Sequence, residues 1–282
     1  MPIEFYLTMI LYHSLIRIVN PYFVQKYSPA FCKKSLKMQG MKGVIMSKTV
    51  KRGYVPTDTR DFGEKQLPIL KASAEEVYYL LNRGYSVKNA STFVGNHHLL
   101  SERQRLAIAR AVSPEKQIQI RKEKQLSDSD LKGRIIHIDG FNTIITLEIA
   151  FSESLLLDCM DGTIRDLAGL RGTYRLVDKT DTALNAIRET LSELQIEKAF
   201  FYLDAPVSNS GRLAQRIYEL FEGAPFAVET KNENAVDFLL KQQGGYLITA
   251  DAIILDECKS WYNLNRNIID KHFQNYPYVK LF

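Results

Sequence analysis

Cysteine is scarce in this chain of 282 residues, which contains only Cys32, Cys159 and Cys258. The three are far apart and odd in number, so they form neither a zinc-binding spacing nor a disulfide framework. Isolated cysteines of this kind are typical of the reducing cytoplasm, where they serve as small buried hydrophobic residues. We therefore expect a cytoplasmic protein.

Long uninterrupted apolar runs are also missing. The opening stretch "MPIEFYLTMILYHSLIRIVNPYF" is apolar, but Glu4, His13 and Arg17 break it. It has no basic start and no small-residue cleavage site, so it is a poor match to a signal peptide. It is also too short and too interrupted for a membrane span. We expect no membrane partner and treat residues 1–45 as an N-terminal extension without a predicted function.

No Ser–His or Cys–His pairing typical of a covalent nucleophile stands out. His137 lies in a strand-like run, which is typical of a packed sheet residue, and His97 and His98 have no cysteine at a zinc spacing. The sequence therefore gives no support to a covalent hydrolase or a structural zinc site.

Charge is divided unevenly along the chain. Residues 1–132 carry 22 Lys and Arg against 11 Asp and Glu, a net of +11, whereas residues 133–282 carry 15 against 21, a net of −6, and the two sum to +5. A basic front half and an acidic back half indicate two modules. The first is suited to a polyanion and the second to a cation.

The basic half reads as a small all-α domain over residues 46–125. After the loop-like stretch 51–63, apolar residues recur at helical spacing in 67–85, where Ser73 and Glu76 form a capping-box pattern. Ser101 then caps a second strong helical segment. The polar stretch 113–133 is predicted to be a connector.

The acidic half, residues 133–282, alternates strand-like and helical segments. Strand candidates are followed by segments of helical period, and the four clearest strands are "RIIHID", "KAFFYLD", "FAVET" and "YLITAD". This alternation predicts an α/β domain with a mainly parallel sheet flanked by helices.

Three of these strands finish on an aspartate: Asp139, Asp204 and Asp251. Because ligands of open α/β sheets bind outside the carboxyl ends of the strands, these carboxylates are predicted to meet at one edge. Their mutual repulsion calls for a cation, and carboxylate oxygens suit Mg²⁺ or Mn²⁺. Asp237, in the helix before the last strand, is a fourth candidate ligand.

Each aspartate also has a simpler interpretation. Asp139 can form an Asx turn with Gly140, Asp204 can begin a loop, Asp237 can be a solvated helix charge, and Asp251 can be a helix cap. Their gathering at one edge favours the metal site.

Several polar residues are predicted to contact a substrate. Asn142 and Thr249 lie close to the predicted ligands in sequence, and the loop "PVSNSGR" opens a helix whose backbone N–H groups suit an anion. An ordinary capped helix is the alternative for this loop. The predicted contacts are Asn142, Ser208, Asn209, Ser210, Arg212 and Thr249.

Arg103, Arg105 and Arg110 on the helix after Ser101 are further predicted phosphate contacts. The alternative is that these arginines dock the helical domain on the acidic domain.

The segments "IIHIDGFNTII", "YLD", "NENAVDFLL" and "YLITADAIILD" resemble the acidic framework of the PIN-like nuclease superfamily, and its NYN branch in particular. The resemblance implies a Rossmann-like sheet in which Asp139, Asp204, Asp237 and Asp251 are the catalytic and metal-ligating acids, with Mg²⁺ or Mn²⁺ as cofactor and RNA as the main substrate. Many PIN-like domains also have an acid in the helix after the first strand, and here Glu148 is the nearest.

From about residue 47, the chain also resembles a largely archaeal family that joins domain of unknown function 434 to domain of unknown function 5616. "RGYVPTDTRDF", "LLSERQRLAIARA" and "DAPVSNSGR" carry this match.

The sequence therefore predicts a metal-dependent PIN-like nuclease that cleaves RNA phosphodiester bonds. A non-catalytic nucleic-acid-binding protein that retains the fold is the main alternative. A topoisomerase–primase-like phosphotransfer enzyme is disfavoured, because no Asp-x-Asp pair follows the later strands.

Overall fold

The computed structural model describes residues 51–169 and 172–282. The predicted extension, residues 1–45, and Cys32 lie outside the described residues. The described part belongs to one compact unit, Thr49–Phe282.

The first region is helical, as the sequence predicts. Its helices are α1 (Asp58–Asp61), α2 (Leu67–Asn82), α3 (Val87–His97), α4 (Glu102–Ala111) and α5 (Glu115–Glu123). Ser101 forms a capping box with Gln104 at the start of α4. The capping box predicted at Ser73 is wrong, because Pro68 in the first turn already starts α2 and Ser73 is buried inside that helix.

The polar stretch 113–133 is more ordered than predicted. It contains α5 and a short 3₁₀ turn at Asp128–Leu131. The helical period of α5 is weak, because charged residues lie on most of its faces. Arg121 of α5 is nevertheless buried. A buried arginine gives no apolar signal in sequence, so the segment reads as a linker.

The second region is mixed α/β. Its strands are β1 (Ile135–Asp139), β2 (Leu156–Asp158), β3 (Ile164–Asp166), β4 (Lys198–Asp204), β5 (Ala227–Glu233), β6 (Leu247–Ile248) and β7 (Val279–Lys280). Its helices are α6 (Gly140–Phe151), α7 (Asp178–Glu193), α8 (Ser210–Phe221), α9 (Val236–Gln242), α10 (Ala252–Glu257) and α11 (Leu264–His272).

The main sheet is parallel, with strand order β5-β4-β1-β6. The prediction of a mainly parallel sheet flanked by helices is therefore confirmed. The strand order reverses direction at β1, because β4 and β6 lie on opposite sides of it. Such a switch point opens a crevice outside the carboxyl ends of the strands, where α/β proteins bind ligands.

A second, smaller sheet has the order β3-β2-β7. Leu157 and Val279 of this sheet share an apolar core with Leu70, Val77 and Ile108 of the helical region. The helical region therefore packs on the second sheet and stabilises its position beside the crevice.

Within residues 51–169 and 172–282, every helix is too short or too polar to cross a membrane.

Candidate functional site

A cleft of about 630 Å³ lies between the helical region and the carboxyl ends of the parallel sheet. Its walls include all four predicted acids, Asp139, Asp204, Asp237 and Asp251. They come from four separate places: the end of β1, the end of β4, the first turn of α9 and the N-cap of α10. The fold thus brings together side chains that span more than a hundred residues of sequence.

Asp139 is held by the turn that joins β1 to α6. It is the N-cap of α6, and its Oδ1 accepts a hydrogen bond from the Asn142 N–H at 3.4 Å. Gly140 begins the helix against the neighbouring strand, where a Cβ would lie 2.8 Å from the Tyr202 carbonyl oxygen. Only glycine allows this close approach, so "Asp-Gly" sets where the carboxylate emerges.

The turns after β1 and β6 are linked directly to each other. The Thr249 hydroxyl donates to Asp139 Oδ2 at 2.8 Å and accepts from the Asp251 N–H at 3.1 Å. Asn142 Oδ1 accepts from the Ala250 N–H at 2.9 Å. Thr249 and Asn142 therefore fix the two acid-bearing turns relative to each other.

Asp251 is also a helix cap. Its Oδ1 accepts hydrogen bonds from the N–H groups of Ile253 and Ile254 at 2.8 and 3.2 Å. Asp139 and Asp251 thus each cap a helix and also line the cleft. The capping interpretation is therefore compatible with a place in the site.

Asp204 and Asp237 differ from the two caps. Within the described part of the chain, neither carboxylate accepts a hydrogen bond from another side chain or from a cap N–H group. Both still line the cleft. Asp204 and Asp237 therefore cap no helix, although Asp251 too keeps one carboxylate oxygen, Oδ2, outside its capping bonds.

The four carboxylates repel one another. Burial raises the pKa of Asp139 to about 7, an effect that hydrogen bonds from Thr249 and Asn142 oppose and that the charges of Asp251 and Asp237 reinforce. Burial and the charge of Asp237 raise the pKa of Asp204. Burial and the charge of Asp251 raise the pKa of Asp237. Asp237 therefore interacts with all three of the others.

No lysine or arginine of the described residues forms a salt bridge with any of these four acids. In the same residues, no three His, Cys, Asp or Glu side chains are placed to hold one metal ion together. The donors are all oxygens, which suits a hard cation, but a cation here would take its ligands from one or two carboxylates plus water, as Mg²⁺ commonly does.

Of the three arginines predicted to contact a substrate, Arg110 lines the cleft. Its Nη1 donates to the main-chain oxygen of Asp166, and the Asp166 carboxylate lies 3.5 Å away. The guanidinium remains about one-third exposed, so part of it is open to a ligand.

Arg103 and Arg105 lie away from the cleft lining. Arg103 forms an ion pair with Asp58 at 2.5 Å and donates to the Leu167 carbonyl at 3.2 Å, which joins the helical region to the segment after β3. Arg105 packs on Gly95 and donates to Asn96 Oδ1 at 2.7 Å. The geometry of Arg103 corresponds to the docking alternative.

The loop before α8, with Ser208 and Asn209, is also outside the cleft lining, and so are Ser210 and Arg212 in the first turn of α8. Ser208 donates its N–H to the Gly172 carbonyl at 3.0 Å, and Asn209 Nδ2 donates to the Tyr174 carbonyl at 2.7 Å. These contacts tie the loop to the segment before α7.

Glu148 does not join the acids of the cleft. It is buried in α6, where it forms an ion pair with Arg52 at 2.5 Å and accepts a hydrogen bond from the Tyr174 hydroxyl at 2.5 Å. The acid in the helix after the first strand is thus used for packing and is not part of the cleft.

Several more residues line the cleft. Tyr85, three residues after α2, is 57% exposed, and Arg121 and Arg165 line the cleft although both are buried. Tyr85 and Arg165 are residues that the sequence suggests for base stacking and for guiding a substrate. Arg121 has no such signal, because its acidic partners Asp161 and Asp256 lie 40 and 135 residues away.

Comparison with known proteins gives a family but no activity. Two family models match the chain. The model of the family described as protein of unknown function (DUF434) covers residues 69–124, and that of the domain of unknown function (DUF5616) covers residues 128–267. "Uncharacterized protein MJ0935" of Methanocaldococcus jannaschii is 36% identical over 186 residues, which are 66% of this chain and 88% of that protein. No solved structure matches.

The chain belongs to the same family as this archaeal protein. In this chain, the DUF434 match precedes the DUF5616 match, which is the order that the sequence resemblance predicts. The cleft has residues of both segments in its walls: Tyr85, Arg110 and Arg121 from the first, and the four aspartates from the second.

Proposed function

We propose that this protein is a PIN-like, Mg²⁺- or Mn²⁺-dependent nuclease that cleaves RNA. One observation carries the proposal: four aspartates from four elements line one cleft at the switch point of a parallel sheet, and no salt bridge within the described residues neutralises them. The mutual repulsion of these carboxylates opposes folding, and no salt bridge within the described residues offsets it. Their use is to meet a cation from outside.

The donors suit such a cation. Asp139 and Asp251 are held in place as helix caps, and Asp204 and Asp237 have oxygens without protein donors in the described part of the chain. A divalent cation bound to them supplies Lewis-acid stabilisation of charge on a phosphodiester.

The rest of the wall suits a nucleic acid. Arg110 offers a partly exposed guanidinium for a phosphate oxygen. Asn142, whose Oδ1 is fixed by the Ala250 N–H, keeps its Nδ2–H groups for a second phosphate oxygen. Tyr85 presents an exposed ring on which an unpaired base can stack. The helical domain thus supplies substrate contacts, and the α/β domain supplies the acids.

The experiment is cleavage of labelled single-stranded and structured RNA by the purified full chain in Mn²⁺, Mg²⁺ or EDTA. We expect metal-dependent cleavage that Asp237→Asn abolishes, because Asp237 interacts with each of the other three acids. RNA binding without metal-dependent cleavage would contradict the proposal and favour the non-catalytic nucleic-acid-binding alternative.

A further inference from the structure

We infer that two buried arginines, Arg165 and Arg121, are positioning residues that fix the turn between β6 and α10, and with it Asp251. This inference rests on the proposed function, in which Asp251 is a metal ligand. It also gives the helical domain a second role, since Arg121 comes from α5.

Arg165, in the middle of β3, uses its whole guanidinium fork. Nε donates to the Ala250 carbonyl at 2.6 Å, and Nη1 donates to the Arg110 carbonyl at 2.6 Å. Nη2 donates to the Asp161 carboxylate. One rigid planar group therefore joins the β6–α10 turn, the helix α4 and the β2–β3 turn.

Arg121 completes the network from the helical side and is only 3% exposed. Its Nη1 donates to Asp161 Oδ2 at 2.7 Å and to Ser113 Oγ at 2.8 Å. Its Nε donates to Asp256 Oδ1 at 2.7 Å, which ties it to α10 itself. Asp161 is thus shared by both arginines and neutralises part of their charge.

These contacts hold the two peptide units that flank the Cα of Ala250, the residue before Asp251. The Ala250 N–H donates to Asn142, and the Ala250 carbonyl accepts from Arg165. Asp256 lies on the same helix that Asp251 caps. The position of the Asp251 carboxylate therefore depends on both arginines, as the position of a ligand depends on the groups that hold it in known metal sites.

The chain offers a matched control on the same β2–β3 turn. Arg266 of α11 donates to the Gly162 carbonyl at 2.7 Å and to the Asp158 carboxylate. It holds that turn, as Arg165 does, but it does not line the cleft and makes no contact with Ala250 or Asp256.

The experiment is calorimetric titration of the full chain with Mn²⁺, alongside thermal unfolding in EDTA. We expect Arg165→Met to weaken Mn²⁺ binding about tenfold. Arg165→Lys keeps the buried charge but cannot reach all three acceptors, so we expect it to weaken binding as well. Arg266→Met should leave Mn²⁺ affinity within about twofold of the native value, whatever it does to stability.

Cleavage kinetics give a second readout. A residue that positions Asp251 should lower kcat for labelled RNA, expressed per folded molecule, and leave KM within about twofold. Because a loss of folded protein also lowers the apparent kcat without changing KM, thermal unfolding of the same samples gives the folded fraction. If Arg165→Met fails to fold, Arg165→Lys decides the question.

Two results would separate this inference from the proposed function. If the native protein binds no Mn²⁺, or Asp251→Asn binds it as the native protein does, the proposed metal site fails and this inference falls with it. If native binding is seen and Asp251→Asn weakens it, but both Arg165 variants behave as Arg266→Met does, only this inference is overturned.

Discussion

Asp161 and Asp139 are both buried carboxylates near the same cleft, but their surroundings are opposite. Asp161 receives two arginines and the Thr163 hydroxyl. Burial alone would raise its pKa, but Arg165, Thr163 and Arg121 outweigh burial and hold the pKa below its ordinary value. Asp139 has only neutral donors, and its pKa rises to about 7. Asp161 is thus neutralised within the fold, whereas Asp139 has no cationic partner among the described residues.

The same contrast separates the other acids of the cleft. Asp166 and Asp256 each have an arginine partner, Arg110 and Arg121 respectively. Asp204, Asp237 and Asp251 have none among the described residues. Asp161, Asp166 and Asp256 are thus paired within the fold, and in the proposed function the unpaired acids of the cleft bind the cation.

The largest expected effect on stability is at Asp161. Asp161→Asn leaves two buried guanidinium groups without their shared counter-charge, which should lower the free energy of unfolding by about 3–5 kcal/mol. Urea unfolding at pH 7 measures this loss. Because the pKa of Asp161 is lowered in the folded state, its contribution is present above the ordinary pKa and disappears as pH falls through the folded value. The difference in the free energy of unfolding between the native protein and the variant should therefore become smaller at acidic pH. A decrease in the free energy of unfolding below about 1 kcal/mol at pH 7 would contradict the contrast drawn between Asp161 and Asp139.

Asp139→Asn should instead affect activity and leave the fold intact. We expect cleavage to fall at least about a hundredfold, because a ligand charge is lost while the side-chain shape and a carbonyl acceptor remain. Asp158→Asn is the control, since Asp158 is paired with Arg266 outside the cleft lining. Initial rates in Mn²⁺ measure both. Equal rates for the two variants would show that the unpaired acids have no special role.

Arg110→Ala tests the basic side of the cleft. Loss of one phosphate contact should weaken binding of single-stranded RNA about five- to tenfold and reduce the slope of log K against log salt by about 0.7. Fluorescence anisotropy measures this, with Asp139→Asn in every protein to prevent cleavage. Arg188→Ala is the control, because Arg188 donates to the Leu220 carbonyl outside the cleft lining. An unchanged salt slope would exclude Arg110 from the substrate path.

The smallest effect distinguishes the capping acids from the others. Asp251→Ala removes the acceptor of two helix N–H groups and should cost about 1 kcal/mol of stability. Asp204→Ala removes no such bond and relieves repulsion with Asp237, so it should cost nothing. Urea unfolding in EDTA compares the two. A larger loss of stability for Asp204→Ala than for Asp251→Ala would contradict the division between acids that cap a helix and acids that do not.

The acids of the cleft were predictable because a local rule locates them. An aspartate at the end of a strand-like run must lie at the carboxyl edge of a parallel sheet, whatever the details of packing. Asp237 was predictable too, since it lies in the first turn of the helix before β6, as the sequence indicates.

Apart from the local pair of Arg165 with Asp161, the arginine network was not predictable, since its partners are distant. Arg121 and Asp161 are 40 residues apart, and Arg121 and Asp256 are 135 apart. The sequence indicates a strand–turn–strand unit in the segment that forms β2 and β3, but β7 was missed, because it has two residues and pairs Val279 with the distant Leu157. Strands this short carry no usable period. The strand predicted at 246–251 is shorter too, because the Ala250 backbone turns to Asn142 and Arg165.

The most direct measurement is an anomalous difference map from crystals of the full chain grown with Mn²⁺. We expect a manganese peak in the cleft, about 2.0–2.6 Å from oxygens of at least two of Asp139, Asp204, Asp237 and Asp251, and no peak in crystals of Asp139→Asn. A cleft without manganese at millimolar concentrations, or manganese bound only elsewhere, would contradict the assignment of these aspartates as a metal site.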